Sequence, residues 1–199
     1  MFNPIDTYRA VCASLGLDPV WVAGFALILT LGVARYRFGP ITSVRWQPLR
    51  RLLVPVIHRI GQRRFGEEWY ATSEQDPAGH VATVDVAVDV LLDDLEAAGY
   101  EPQPLASLKT WQGREEAASW ARYVGGPGVG GLQWLRSEQV HVRLYRTGAG
   151  ETAIFAHREA NPWRPDLWRA HYRGRGQDVQ AGREQVAEDL GVALEDVEG

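Results

Sequence analysis

The sequence predicts an α+β protein: an N-terminal transmembrane helix and a basic amphipathic helix, then a two-layer α/β sandwich with a mainly antiparallel sheet. Three observations predict it. The stretch from Pro19 to Ala34 is apolar and carries no charge. A strand-like segment, His80 to Asp85, leads into a helical stripe of Val88, Leu91, Leu92 and Leu95. Alternating residues from Val140 to Arg146 and from Glu151 to His157 flank Thr147-Gly148-Ala149-Gly150, the pattern of a β-hairpin with a four-residue loop.

These divide the 199 residues into a short extracytoplasmic N-terminus (1–18), a transmembrane helix (19–36), a basic juxtamembrane segment (37–66) and an acidic soluble domain (67–199). Asp18 can cap the free amides of the first helix and Pro19 suits its first position. The apolar run is shorter than the roughly 20 residues of a typical span. Leu15 to Leu17 extend it at one end, and Arg35 and Arg37 can snorkel at the other. Trp21 and Tyr36 fall where aromatic rings favour the membrane surface, with Phe25, Leu27, Ile28, Leu29 and Leu31 between them.

Arg35, Arg37, Arg45, Arg50, Arg51, Arg59, Arg63 and Arg64 follow the run, whereas Arg9 is the only cation before it. That bias holds the C-terminal side in the cytoplasm, or inside a virion, with the N-terminus outside. It also argues against a cleaved signal peptide, which carries its positive charge first; the other alternative to an anchor is a core helix of a soluble domain. Leu49, Leu52, Leu53, Val56, Ile57 and Ile60 recur at helical spacing among the arginines, as in a helix lying on anionic lipid. The competing reading is that Leu52, Val56 and Ile60 pack on the soluble domain.

Charge separates the two regions. The first 66 residues hold nine arginines against Asp6 and Asp18, a net +7, while the remainder holds twelve basic and twenty-three acidic residues, a net −11. A basic collar would meet an anionic surface while an acidic domain stands away from it. Lys109 is the only lysine, and an acidic soluble part with almost exclusive arginine use is a composition of salt-adapted organisms. The single Cys12 excludes an intrachain disulfide.

Within the soluble domain a helix is expected over 86–98, stopped by Gly99, with Asp89, Asp93, Asp94 and Glu96 as its solvated face. Leu105 to Trp111 and Ala118 to Val124 look like two strands of a hairpin joined by a polar turn. The run Gly125 to Gly131 contains the spacing Gly126-x-Gly128-x-x-Gly131. Pro127 removes an amide and no alternating strand and helix units surround it, so it reads as a connection and not as a dinucleotide loop. A C-terminal helix is expected over 178–190.

No nucleophile motif is present, and the expectation is a protein that is not an enzyme and holds no metal or cofactor. The strongest exception is His141, Tyr145, His157 and Glu159: hairpin pairing would bring the two histidines together, and with Glu159 they could bind zinc or act as acid and base. On an open sheet face such histidines are more simply polar surface. The candidate binding face comprises His141, Arg143, Tyr145, His157, Trp120, Trp163 and Trp168. Its rings and guanidinium groups suit a protein partner, or less readily a nucleic acid, given the acidic net charge.

The segments Trp69-Tyr-Ala-Thr-Ser-Glu-Gln-Asp-Pro, Gly99-Tyr-Glu-Pro-Gln-Pro-Leu-Ala-Ser-Leu-Lys109, Ala118-Ser-Trp-Ala-Arg-Tyr123, His141-Val-Arg-Leu-Tyr145 and Ala156-His-Arg-Glu-Ala-Asn161 resemble a group of uncharacterised membrane-anchored proteins of halophilic archaea, their proviruses and pleomorphic enveloped viruses. The resemblance implies a salt-adapted setting with the domain on the inner face of a cell or virion membrane. Together these readings give a single-pass anchored protein that binds membrane lipids and recruits or organises a protein partner, in one version during assembly of an enveloped archaeal virus.

Overall fold

The structure is a computed structural model. It describes residues 3–14, 16, 18–19, 22, 50–52, 54–55, 59, 63, 72–103, 106–128, 136–164, 166–167, 170–171, 174 and 176–196. The chain forms two compact units, Met1–Ser43 and Val44–Gly199. Among the described residues no helix is long and apolar enough to cross a membrane. The expected span over 19–36, with Trp21, Phe25, Leu27, Ile28, Leu29, Leu31 and Tyr36, lies outside the described residues except for Pro19 and Val22.

In the first unit, α1 (Pro4–Ser14) occupies the stretch expected only as a short terminus. Its start is legible in Asn3-Pro4: the Asn3 side chain accepts from the Ile5 amide at 3.0 Å, and proline is suited to the first turn.

The second unit contains β1 (Thr72–Glu74), a 3-10 turn (Pro77–Gly79), β2 (His80–Val84), α2 (Val88–Ala97), β3 (Glu101–Pro102), β4 (Leu108–Trp111), β5 (Arg114–Glu115), β6 (Ala118–Val124), β7 (Glu138–Arg146), β8 (Thr152–Ala160) and α3 (Val179–Leu190). An antiparallel sheet runs in the order β2-β8-β7-β6-β3, and a smaller one in the order β1-β4-β5, with β1 parallel to β4. The α+β class with a mainly antiparallel sheet is therefore as expected.

One face of the large sheet is the apolar core. Val140, Val142 and Leu144 of β7, Ile154 and Ala156 of β8 and Trp120 of β6 pack with Val88, Leu91 and Leu95 of α2 and with Val186 and Ala187 of α3. Each large aliphatic side chain fully buried there contributes about 1.5–3 kcal/mol. Asp89, Asp93, Asp94 and Glu96 are exposed, the solvated face that the helical pattern requires. At the far end of α3, Asp189 accepts from Tyr100 Oη at 2.7 Å and pairs with Arg122 at 2.8 Å, tying that helix to β6.

The first expected hairpin forms differently. β4 turns at Gln112-Gly113, both at positive φ as a two-residue turn of the mirror-image type requires, and pairs with β5 through Trp111 and Arg114. The chain then changes sheets: the Glu116 amide still bonds Lys109 O at 3.1 Å, while the next amide, Ala117, bonds Leu144 O at 2.7 Å. Thus 108–111 and 118–124 are not partners. The second hairpin, β7/β8, is as read but longer, with Arg146 opposite Thr152.

Helix α3 starts from Asp178, whose side chain accepts from the Ala181 amide at 2.9 Å. Asp178 also exchanges backbone bonds of 2.8 and 2.9 Å with Arg158, which presses the first turn of α3 onto β8. Gly182 makes this approach possible, since a Cβ there would lie 2.3 Å from the His157 backbone. Gly182→Ala is expected to destabilise the protein by about 3 kcal/mol, because main chain and not a flexible side chain must yield; a urea melt checks this, and an unchanged midpoint would count against the packing described.

Candidate functional site

In β7 the residues alternating with the apolar face are Gln139, His141, Arg143 and Tyr145, and opposite them in β8 stand Glu159, His157, Phe155 and Ala153. This face is not open. Gln139, His141, Arg143, Tyr145, Phe155 and Glu159 are all buried: Trp111 and Ser107 lie against Tyr145, Phe155 and Arg143, and Gln103, Gln177 and His171 against Gln139 and Glu159. The premise of a polar surface is therefore corrected, and with it the idea that these side chains form a binding face. Trp120 belongs to the helix-side core, and Trp163 is buried with its Nε1 donating to Tyr123 Oη at 2.9 Å. Trp168 lies outside the described residues.

Three groups occupy the covered face. At one end Tyr145, Phe155, Trp111 and His80 form an aromatic cluster with ring centroids 5.1–6.1 Å apart. Tyr145 Oη bonds Gln75 at 3.3 Å, so it does not join the histidines with which the sequence grouped it.

In the middle, Glu116 sits between the guanidinium groups of Arg50 and Arg143, both in direct ion-pair contact with it. Arg50 also donates to Ala106 O at 2.9 Å, and Arg143 to Ser107 O at 2.7 Å. Arg50 is 2 % exposed, so its assignment to lipid headgroups is corrected: its charge is spent inside the domain. The domain consequently begins before residue 67, and Val54, one turn after Arg50, is buried with it. Arg51, Arg59 and Arg63 are exposed, Arg51 beside Glu115; Arg35, Arg37, Arg45 and Arg64 lie outside the described residues. Next to this group Lys109 donates to Ser73 Oγ. Burial, with Arg143 beside it, pushes the Lys109 ammonium down to about 8, against the pull of Glu116, Asp76 and Glu159.

At the other end Glu159 is the centre of a polar cluster. Its Oε1 accepts from Gln139 Nε2 at 2.7 Å and lies 3.0 Å from His141 Nδ1. Its Oε2 accepts from Gln177 Nε2 at 3.2 Å and lies 3.2 Å from His157 Nε2 and 3.4 Å from His171 Nδ1. His141 Nε2 meets Ser119 Oγ at 2.7 Å, and Gln103 Nε2 bonds Gln139 Oε1 at 2.7 Å. Burial, reinforced by Arg143, pushes the His141 imidazole down to about 3, so this ring is neutral at ordinary pH. Burial alone would raise the Glu159 carboxyl, but His171, His157 and His141 outweigh it and hold it well below its usual range. His141, His157 and Glu159 offer three donor atoms all within 4.8 Å of one another.

The pairing of His141 with His157 and the nearness of Glu159 follow from hairpin register, as the sequence suggested. Gln139 could have been added by the same alternation. Ser119, Gln103, Gln177 and His171 come from other elements, and no local spacing points to them.

Comparison of the chain with protein-family models, with curated proteins and with solved structures finds no match.

Two outcomes follow from the central groups. Glu116→Gln leaves two buried guanidinium groups without their counter-charge, so unfolding free energy should fall by about 3–5 kcal/mol in a urea titration; a loss under about 1 kcal/mol, typical of an exposed pair, would contradict the buried triad. The folded protein releases the Lys109 proton at about pH 8, and the unfolded chain only near 10.5. The unfolded state therefore binds more protons in that window, and this contribution to stability rises with pH across it and is lost as pH falls through about 8. Urea melts of the wild type and Lys109→Met between pH 7 and 9.5 should differ in slope accordingly, with the rise missing in the variant.

Proposed function

We propose that the chain is a single-pass membrane protein whose domain from Val44 onward stands at the inner face of a membrane and recruits or organises a protein partner there. The observation that carries this reading is the uncharged run Pro19 to Ala34 with eight arginines in the thirty residues after it and one before it. Hydrocarbon accepts such a run without cost, and the arginine bias fixes its direction.

The exposed residues of the following segment support it. Arg51, Arg59 and Arg63 are exposed, and at 3.6 residues per turn Arg59 and Arg63 would fall on the side of a helix away from Arg50 and Val54. Leu52 beside them is 67 % exposed. A stripe of guanidinium groups with an apolar side chain at its margin suits a lipid surface, where each cation contributes about 1 kcal/mol at ordinary ionic strength and little in concentrated salt. Arg50 and Val54, buried on the domain, then make one segment serve two contacts: its inner side holds the domain and its outer side meets headgroups. The resemblance to anchored proteins of halophilic archaea and their enveloped viruses extends the proposal to a salt-adapted cell or virion, with the domain on the interior side during assembly.

Flotation of the full chain with phosphatidylglycerol-containing vesicles in multimolar KCl tests the reading. The full chain should rise with the vesicles, and a chain starting at Val44 should remain in the load, since screening removes its electrostatic attraction. Recovery of the full chain in the soluble fraction would overturn the anchor.

A further inference from the structure

The cluster around Glu159 has a geometry that hydrogen bonding alone leaves incomplete. His157 Nε2 is buried and makes no hydrogen bond, although it lies 3.2 Å from a carboxylate oxygen. A buried polar atom without a partner costs about 1–3 kcal/mol, and native structures keep few of them without a reason.

We propose that His141 Nδ1, His157 Nε2 and one carboxylate oxygen of Glu159 bind a single divalent first-row transition ion, zinc by donor set, with water in the remaining position. This site is independent of the membrane reading, since every residue in it belongs to the sheet of the second unit.

Spacing is the first support. Bonds of 2.0–2.1 Å in a tetrahedron set neighbouring donors about 3.3 Å apart. His141 Nδ1 stands 3.0 Å from Oε1 of Glu159 and His157 Nε2 stands 3.2 Å from Oε2, and one donor atom from each of the three residues falls within 4.8 Å of the others, so an ion on either oxygen fits with small side-chain rotations. Donor chemistry is the second. Two imidazoles and one carboxylate suit zinc and its neighbours, whereas calcium and magnesium take oxygen. The strand pair is a stiff mount for these donors, because His141 and His157 are direct cross-strand partners with ring centroids 5.1 Å apart.

The surroundings supply what ligands to a metal need. A ligating histidine is oriented through its second nitrogen, and its ligating nitrogen must carry no proton. Ser119 Oγ, at 2.7 Å from His141 Nε2, meets both requirements: a hydroxyl can accept from Nε2–H and leave the Nδ1 lone pair for the ion. Without an ion the same hydroxyl can donate to Nε2 while Nδ1–H faces Glu159, so one side chain serves either tautomer. Gln139, itself held by Gln103, and Gln177 fix the carboxylate. Solvent reaches the site from one side, where the His157 and His171 side chains are 14 % and 12 % exposed and Gln177 is exposed, which gives the ion an entry and a position for water.

The test uses the full chain in detergent, stripped with a chelator and titrated with zinc chloride by calorimetry and with cobalt(II) chloride by visible absorption. The expected result is uptake of one ion per chain, and cobalt bands of the intensity given by four or five ligands. His157→Ala should weaken zinc binding by more than the roughly 10–100-fold that follows loss of an outer partner, while Ser119→Ala should fall within that range. Circular dichroism separates loss of binding from loss of fold, and the wild-type stoichiometry and cobalt spectrum stand without any variant. No uptake by the folded wild type, a spectrum of hexaaqua cobalt only, or equal uptake by a folded His157→Ala chain would overturn the site.

Discussion

Two carboxylates, Glu116 and Glu159, lie on the covered face of the large sheet at 1 % and 4 % exposure, and a buried carboxylate costs several kcal/mol unless charge and hydrogen bonds surround it. That requirement organises the domain. Glu116 stands where the chain passes from the small sheet to the large one, and its two arginines come from β7 and from a segment more than sixty residues upstream. Glu159 accepts from Gln139 of the next strand and from Gln177, with His141, His157 and His171 around it. The small sheet, the residues around Arg50 and the stretch before α3 are thus held in place by polar groups, while α2 and α3 are held by ordinary apolar burial. Removing one member leaves a buried charge short of a partner.

Because Arg50 belongs inside the domain, the arginines after the apolar run do not form one collar. Arg50 is a structural cation, whereas Arg51, Arg59 and Arg63 are exposed and remain available to lipid. This distinction bears on the proposed anchoring, since only the exposed arginines would be left to meet headgroups. The metal proposal concerns the opposite end of the same covered face, where imidazole and amide groups replace the arginines. A single strand pair therefore carries an aromatic cluster, an ionic triad and a histidine-carboxylate group in succession.

The apolar layer was legible in the sequence because its periods are local: two for β7 and β8, and three to four for α2 and α3, with Gly99 and Asp178 marking a helix end and a helix start. The same period placed His141, Arg143 and Tyr145 on one face. It could not say that the face is covered, because the cover comes from residues 50–54 and 72–116, distant in sequence and themselves read as membrane-bound or as a simple hairpin. Arg50 has the same neighbours in the sequence as Arg51, and only tertiary contact separates a buried guanidinium from an exposed one. Likewise the Gln112-Gly113 turn is a two-residue hairpin signal hidden within a longer polar stretch, so the strand pattern alone pairs β6 with β4 and not with β7.

Hydroxyl-radical footprinting of the folded chain addresses the covered face directly. His141, Tyr145 and Phe155 should be oxidised far more slowly than in the urea-unfolded chain, while the exposed Leu52 and Leu194 are oxidised at similar rates in both. Oxidation of His141 and Tyr145 at their unfolded rates would mean that this side of β7 is open to water, and neither the ionic triad nor the Glu159 cluster could then exist as described.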